Sequence, residues 1–351
     1  MNRKTLSIIV PSYNMEAYLQ KCLGSLLVDD RALLEKLDVI VVNDGSKDRT
    51  SEIAHSFEAR FPGVFRVIDK ANGHYGSCIN AALPVAEGEY VKVLDADDSV
   101  DTQGLVRLLE AIDEELARGD RAADLVATDY VEVNPDGEVL SRPWFGFNES
   151  MTTLDEQEAG GTRLTIHAIC YRTRNLRRIG YRQMEGVPYT DTEWIIEPTI
   201  TVRRFRYVPA VTTRYLVGRD GQTMDPKELS RNFQVVLDIT RGLLERHGGN
   251  IAICEEGSRT YYNNQITGML RLCYGWGLLG YHGVKMQGDM AGFDKALSSH
   301  SDFYRISGEF AGLPNHFPFM YVKCFRKHGY GLWWRLRAGF NAILCRLAKI
   351  I

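Results

Sequence analysis

Four side chains near the N-terminus have types and spacings that could hold a nucleotide and a metal ion. Tyr13 offers an aromatic face for a base, and the Asp44 carboxylate could accept a hydrogen bond from a ring N–H or a ribose hydroxyl. Asp95 and Asp97 point to the same side if the chain is extended there, because side chains alternate with period two. Carboxylate pairs of this kind suit Mg²⁺ or Mn²⁺.

The elements that must position these residues alternate between strand and helix. Apolar runs predict five buried strands, at residues 6–10, 37–42, 64–68, 90–94 and 125–130. Helical spacing of apolar residues between the runs completes an α/β pattern, which is typical of a parallel sheet covered on both faces. Ligands bind beyond the carboxyl ends of such strands, where Pro11, Asp44 and Asp95 all lie. This position favours a site, whereas a D-x-D tripeptide alone occurs by chance.

Helix capping is the alternative interpretation of several of these carboxylates. Asp97 or Asp98 could cap a helix that starts near Asp101, and Asp44 could cap one that starts near Thr50. Capping suits Asp98 well. It explains Asp95 and Asp97 together poorly.

Three ordered segments resemble the signature blocks of glycosyltransferase family 2, whose members are inverting enzymes with the GT-A fold. The segments are residues 7–14 (SIIVPSYN), 41–50 (VVNDGSKDRT) and 88–98 (GEYVKVLDADD). The resemblance implies a mostly parallel sheet with helices on both faces. It implies a catalytic domain over residues 1–224, with a nucleotide-sugar-binding half at 1–130 and an acceptor-side half at 131–224. Residues 225–351 are expected to form a mainly helical C-terminal region.

The resemblance also implies roles for individual residues. Those expected at the uracil, ribose or nucleotide of a UDP-sugar are Pro11, Tyr13, Asp44, Asn72 and Gly73. Asp95 would mark the ribose and metal position and Asp97 the metal position, so the expected cofactor is Mn²⁺ or Mg²⁺.

Enzymes of this kind need a carboxylate base in a short loop before a helix. Asp191 is the expected base, with Glu193 in reserve, while Trp194 would stack on a sugar or fill the core. His167 would face the acceptor or, more commonly for histidine, lie satisfied in the core.

The chain departs from the family pattern at two places. Asn43 occupies the first position of the usual acidic pair, and residues 73–80 lack the arginine that many relatives carry there. His74 could replace that arginine near the diphosphate, or Arg219 could reach it from elsewhere. The alternatives are a histidine that bonds its own loop and an arginine solvated at the surface.

The activity implied by the resemblance is transfer of a sugar from a UDP-sugar to a hydroxyl of a glycan or lipid-linked acceptor, in cell-surface polysaccharide synthesis. A sugar-phosphate nucleotidylyltransferase would need a Gly-rich basic loop after the first strand, and residues 11–14 are neither. An NAD enzyme would need G-x-G-x-x-G there. A non-catalytic partner in a polysaccharide-assembly complex would not need the carboxylates Asp44, Asp95, Asp97 and Asp191.

The charge is distributed unevenly along the chain. The net charge is −3, which does not favour a nucleic-acid partner, yet residues 310–351 hold seven basic residues and no acidic one. Apolar residues at helical spacing over 332–351 predict an amphipathic helix, with basic residues largely off its apolar side. Such a helix would bind an anionic membrane surface through residues 320–351 or pack on the protein's own core.

The expected location is the cytoplasm, with the tail at the inner face of the cell membrane. Seven scattered cysteines without a C-x-x-C fit a reducing compartment. The first apolar run is too short for a signal peptide, and no apolar run reaches the ~18 residues that span a bilayer.

Overall fold

The apolar segments of the first two thirds of the chain form one sheet in the computed structural model. The structure describes residues 3–143, 146–159, 161, 163–218, 232–247, 254–279, 289–311, 320–329, 336, 339, 340 and 343. Nine strands lie within these residues: β1 Leu6–Ser12, β2 Leu37–Asn43, β3 Phe65–Asp69, β4 Tyr90–Val93, β5 Ser99–Val100, β6 Leu125–Val133, β7 Val139–Ser141, β8 Ile169–Arg172 and β9 Phe205–Leu216.

The sheet is parallel in its first half and mixed in its second. The strand order is β3-β2-β1-β4-β8-β6-β9-β5, with β7 paired to β6. Strands β1 to β4 are parallel to their neighbours among themselves, and β6 is parallel to β9. Strand β8 runs antiparallel to β4 and β6, and β5 runs antiparallel to β9. The parallel prediction is therefore confirmed for the first four predicted strands, and the antiparallel strands β5, β7 and β8 lie outside the predicted strands.

Helices cover both faces of the sheet. The first unit contains α1 Leu19–Ser25, α2 Arg31–Leu34, α3 Thr50–Arg60, α4 His74–Ala82, α5 Thr102–Ala117, α6 Leu154–Ala159, α7 Thr173–Arg178 and α8 Asp191–Ile196. One face packs α1, α3 and α5 against residues such as Ile8, and the other packs α4, α7 and α8 against residues such as Ile9. Side chains of a buried strand alternate between the two cores, as its continuous apolar run requires.

Strand β1 continues through Pro11 to Ser12, whereas the sequence predicted that Pro11 ends it. The pairing of β1 with β4 stops at Ile9, opposite Val93. The main-chain nitrogen of Pro11 points toward β4, as that of Ile9 does, and the pairing with β4 has already ended there. The missing N–H of proline therefore removes no hydrogen bond of the sheet, and the pairing of β1 with β2 continues to Ser12 and Asn43.

The chain divides into two units. The first comprises Met1–Gly221 with Cys254–Tyr261, and the second comprises Gln222–Ile253 with Tyr262–Ile351. The remaining described helices are α9 Phe233–His247, α10 Arg259–Leu279, α11 Met290–Leu297, α12 Ser301–Gly308 and α13 Tyr321–His328. None of the helices within the described residues is both long and apolar enough to cross a membrane.

Candidate active site

A turn directly after β4 brings two carboxylates together. The main-chain N–H of Asp98 donates to the carbonyl of Asp95 at 3.0 Å, so residues 95–98 turn instead of remaining extended. Asp95 accepts a hydrogen bond from the Tyr75 hydroxyl at 2.7 Å. Asp98 is 2% exposed, and its Oδ1 accepts from the main-chain N–H of Leu216 at 2.8 Å. The turn therefore directs Asp98 inward beside Asp95.

His167 completes a group of three metal-type ligands with these carboxylates. One ligand atom each of Asp95, Asp98 and His167 lies within 4.8 Å of the others. The buried Oδ2 of Asp98 makes no hydrogen bond and lies 3.5 Å from Nδ1 of His167. Two carboxylates and an imidazole are a donor set for a divalent cation, so these residues fit the metal that the sequence predicted.

The predicted metal pair, Asp95 and Asp97, differs from this group. The prediction assumed extended geometry, in which residues two apart share a side. Because residues 96 and 97 form a turn, the residue that joins Asp95 in the group is Asp98. Asp95 is common to both assignments.

Packing holds the His167 ring in place. The ring stacks on Tyr215 with centroids 4.2 Å apart and contacts Tyr130 at 5.1 Å. The hydroxyl of Thr213 and the buried ammonium of Lys92 both donate to the main-chain carbonyl of His167. The His167 ring is therefore packed among aromatic side chains while one of its nitrogens lies near the Asp95 and Asp98 carboxylates.

The acidic group alters the proton affinity of its neighbours. Burial raises the pKa of Asp98 to about 6, and the charges of Asp95 and Asp97 add to the rise while His167 opposes it. Burial is also the main reason that the pKa of Tyr75 lies well above its usual value, with Asp95 and Asp191 contributing. Concentrated negative charge of this kind is what a bound cation would neutralise.

Asp191 lies in the same electrostatic neighbourhood. It is the first residue of α8 and comes two residues after Tyr189, whose φ of 66° is unusual for a bulky residue. Burial raises the pKa of Asp191, the charge of Asp95 raises it further, and His167 partly lowers it. A partly buried carboxylate with a raised pKa next to a metal-type group fits a general base.

Glu193 and Trp194 are both buried in the structure. Glu193 is fully buried and accepts a hydrogen bond from the main-chain N–H of Met184 at 2.7 Å, so it holds the loop before α8. Trp194 is fully buried and packs edge-on against Tyr171 and Tyr181. It fills the core instead of offering a face to a sugar.

The second part of the site lies at the ends of β2 and β3, around Asp44. Oδ1 of Asp44 accepts from Nζ of Lys70 at 2.6 Å and from the main-chain N–H of Gly73 at 3.0 Å. The amide of Asn72 donates to the main-chain carbonyl of Asp44 at 3.0 Å. Asp44 thus binds neighbouring chain segments and does not cap α3, where Asp48 accepts from Thr50 instead.

The other predicted residues lie in or near the segments that follow the strands, or outside the described residues. Pro11 lies beyond the end of the pairing of β1 with β4, and Tyr13, which is 43% exposed, follows β1. His74 is exposed, and its carbonyl accepts from the Ser77 hydroxyl. Arg219, and the helix start predicted at residues 225–228, lie outside the described residues.

Sequence reasoning missed Lys70 and Tyr75 as members of the site. Both are polar residues in or near the segment between β3 and α4, adjacent to Asn72 and Gly73, which the family resemblance did indicate. The signal that could have found Lys70 is its position directly after a parallel strand, at the edge that already held Asp44.

Fold and site together define an α/β protein with an acidic, metal-competent site beyond the carboxyl ends of its parallel strands. Residues 7–155 match the family model Glycosyl transferase family 2. Over this region the comparison confirms the resemblance to glycosyltransferase family 2 that the sequence motifs indicated.

Several relatives share this region. The chain is 33% identical over 153 residues to the glycosyltransferase EpsJ of Bacillus subtilis, covering 44% of this chain and 42% of EpsJ. It is 34% identical over 157 residues to the hyaluronan synthase of Pasteurella multocida, covering 44% of this chain but 15% of the synthase. The chain thus spans less than half of the length of either relative.

Solved structures share the fold. The crystal structure of S. aureus TarS 1-349 in complex with UDP superposes with a TM-score of 0.57 at 20% identity, covering 86% of this chain and 82% of TarS. This similarity confirms the expected GT-A fold class, with its helical C-terminal region.

Proposed function

We propose that the chain is an inverting glycosyltransferase that moves a sugar from a UDP-sugar to a hydroxyl of a glycan or lipid-linked acceptor. The observation that carries the proposal is Asp191 beside the group of Asp95, Asp98 and His167, at the edge of the sheet that also holds Asp44. Such a transfer needs a general base, ligands for a metal ion and a contact to the nucleotide at one edge of the sheet.

The proposed mechanism assigns the proton transfer to Asp191. Its carboxylate accepts the proton of the acceptor hydroxyl as that oxygen attacks the anomeric carbon, and a single displacement inverts the configuration. When bound, Mn²⁺ or Mg²⁺ would supply neutralisation of the charge that develops on the departing diphosphate. Asp95 and the residues grouped with it would hold that cation, and the Tyr75 hydroxyl orients the Asp95 carboxylate.

The donor and the pathway rest on different support. Asp44 offers an acceptor for a base N–H, and TarS has been solved with UDP and with UDP-GlcNAc. The matches to a hyaluronan synthase and a chondroitin synthase support a role in cell-surface polysaccharide synthesis.

We propose residues 1–224 as the catalytic domain. Residues 131–224 would contribute its acceptor side, because Asp191 and His167 both come from that half.

A thermal-shift screen tests the donor class. UDP-sugars with Mn²⁺ should raise the Tm, because a ligand at a hundredfold excess over its Kd stabilises the folded state by about 2.7 kcal/mol. ATP and sugar 1-phosphates serve as the comparison, since a nucleotidylyltransferase would bind these. Stabilisation by the comparison ligands alone would overturn the proposed donor.

We further propose that the tail binds an anionic membrane surface from the cytoplasmic side. Leu336, Phe340 and Ile343, which the sequence spaces at i, i+4 and i+7, are each helical and are 60%, 64% and 58% exposed. This exposure supports a membrane partner over packing on the protein's own core, and the seven basic residues of 310–351 add attraction to anionic lipid.

Flotation with lipid vesicles tests the tail. The full chain should float with vesicles containing phosphatidylglycerol and remain behind with pure phosphatidylcholine. Replacing Leu336, Phe340 and Ile343 together by glutamate should abolish flotation, because it removes the apolar face and adds negative charge. Equal flotation of the variant and the unmodified chain would refute the membrane proposal.

A further inference from the structure

The segment that leads into α8 is attached to α4 at two points. The main-chain N–H of Gly186 donates to the carbonyl of Gly73, the residue before α4, at 2.8 Å. The side-chain amide of Asn80, near the end of α4, exchanges two hydrogen bonds of 2.9 Å with the main chain of Gln183. The position of this segment therefore follows the position of α4.

Met184, between these two points, contacts α4 and α8 at once. A Cβ atom added to Gly76 of α4 would lie 2.1 Å from the main-chain oxygen of Met184, so only a glycine allows this approach. The main-chain N–H of Met184 donates to Oε2 of Glu193 in α8 at 2.7 Å. One residue therefore links the two helices.

The helices that Met184 joins carry two parts of the candidate active site. Tyr75 lies in the first turn of α4, and its hydroxyl donates to Asp95 at 2.7 Å. Asp191 is the first residue of α8, two positions before Glu193. The hydrogen bond between Glu193 and Met184 therefore connects the support of Asp95 to the proposed base.

The start of α8 needs such a contact because the helix is short and lacks a side-chain cap. It has six residues, Asp191–Ile196, and Thr190 at its N-cap makes no capping hydrogen bond. The hydroxyl of Thr190 is buried and has no hydrogen-bond partner within the described residues. A helix of this length is not stable by itself, so tertiary contacts must hold its first turn. Glu193, which is fully buried, supplies one of them from within that turn.

We propose that Glu193 is a positioning residue, which fixes the orientation of the Asp191 carboxylate by its hydrogen bond to Met184. The inference rests on the proposed sugar transfer and assigns the placement of its base to a second acidic residue. A misplacement of about 1 Å can lower a rate by about 10²-fold, because the base must lie within hydrogen-bond distance of the reacting hydroxyl.

Two conservative variants separate positioning from a direct role of Glu193 as the base. Glu193→Gln keeps the length of the side chain and an oxygen that accepts from the Met184 N–H, but it loses the negative charge. Glu193→Asp keeps the charge but is one methylene shorter, so its oxygens withdraw from that N–H. Positioning requires the glutamine variant to be the more active of the two, whereas a base requires the aspartate variant to be.

Steady-state UDP release with Mn²⁺, saccharide acceptors and a panel of UDP-hexoses and UDP-N-acetylhexosamines tests the proposal. Glu193→Asp should lower kcat by roughly 10- to 100-fold. Its KM for the UDP-sugar and its calorimetric affinity for UDP should stay within about threefold, because the nucleotide contacts are assigned to other residues. Glu193→Gln should retain kcat within about threefold.

Glu156→Asp is the matched control. Oε2 of Glu156 accepts from the main-chain N–H of Thr152 at 2.7 Å, a bond of the same kind and length at the start of α6. Shortening this side chain should leave kcat unchanged, because nothing in α6 is assigned to the base.

The outcomes separate this inference from the proposed function. A Glu193→Gln protein as impaired as Glu193→Asp, or a Glu193→Asp protein with unchanged kcat, overturns the positioning role. Loss of UDP binding in Glu193→Asp also overturns it, because Glu193 would then support the whole site and not the base. Full transfer by Asp191→Asn, or no transfer by the unmodified chain, overturns the proposed function, and the inference fails with it.

Discussion

Asp191→Asn should reduce sugar transfer by about 10²- to 10⁴-fold while leaving UDP affinity nearly unchanged. The amide has the size of the carboxylate but cannot accept the proton of the acceptor hydroxyl. Nucleotide contacts are assigned to Asp44 and Asp95, so binding does not depend on position 191. The measurement is UDP release with acceptor present, paired with calorimetric titration of UDP.

Asp129→Asn is the matched control for Asp191. Asp129 is also a partly buried carboxylate whose pKa is raised by burial, but it bonds the Tyr207 hydroxyl on β9. It should retain transfer. An Asp191→Asn protein as active as this control would place the base elsewhere.

The pH profile gives a second readout on Asp191. Burial, with the charge of Asp95, raises its pKa above the ordinary value of 3.8. A general base accepts a proton only when it is ionised. The rate of transfer should therefore fall as the pH drops through that raised pKa and reach its maximum above it. The residual activity of Asp191→Asn should not show this loss at low pH, because the residue that titrates has been removed.

Asp95→Asn should weaken Mn²⁺-dependent UDP binding by at least the roughly 10- to 100-fold seen when metal ligands lose their support. Asp95 belongs both to the pair predicted from sequence and to the group found in the structure, so its loss affects either arrangement. The measurement is UDP affinity titrated with and without Mn²⁺. Asp101→Asn is the control, because asparagine caps α5 as well as the aspartate that now accepts from Gly104.

Two further variants test which residue would bind the metal ion together with Asp95. If Asp98 and His167 are ligands, His167→Gln should lose Mn²⁺ dependence as strongly as Asp95→Asn. If Asp97 is the partner, Asp97→Asn should do so and His167→Gln should not. Unchanged Mn²⁺ dependence in Asp95→Asn would refute a metal at this edge altogether.

Much of the fold could be predicted from local patterns. Continuous apolar runs identified the parallel strands, and helical spacing identified α5, whose residues Leu105, Leu108 and Ile112 are almost fully buried. The antiparallel β8 could not be predicted, because strand direction depends on the path of the chain and not on its hydrophobicity.

The site was predictable where a residue directly follows a strand and less so where a turn or burial intervenes. Asp44 and Asp95 were found by position. The prediction placed Asp97 beside Asp95 because side chains two residues apart share a side in an extended chain. Residues 96–97 form a turn, and the group that contains Asp95 includes Asp98. Lys70 lies 26 residues from Asp44, so only the pairing of β2 with β3 brings them together.

The most direct test of the central claim is UDP release from a panel of UDP-sugars in the presence of Mn²⁺ and saccharide acceptors. We expect at least one UDP-sugar to yield UDP and a glycosylated acceptor, with the reaction stopped by chelation of the metal and by Asp191→Asn. Absence of release from every donor, in a chain that ATP and sugar 1-phosphates stabilise and UDP-sugars do not, would contradict it.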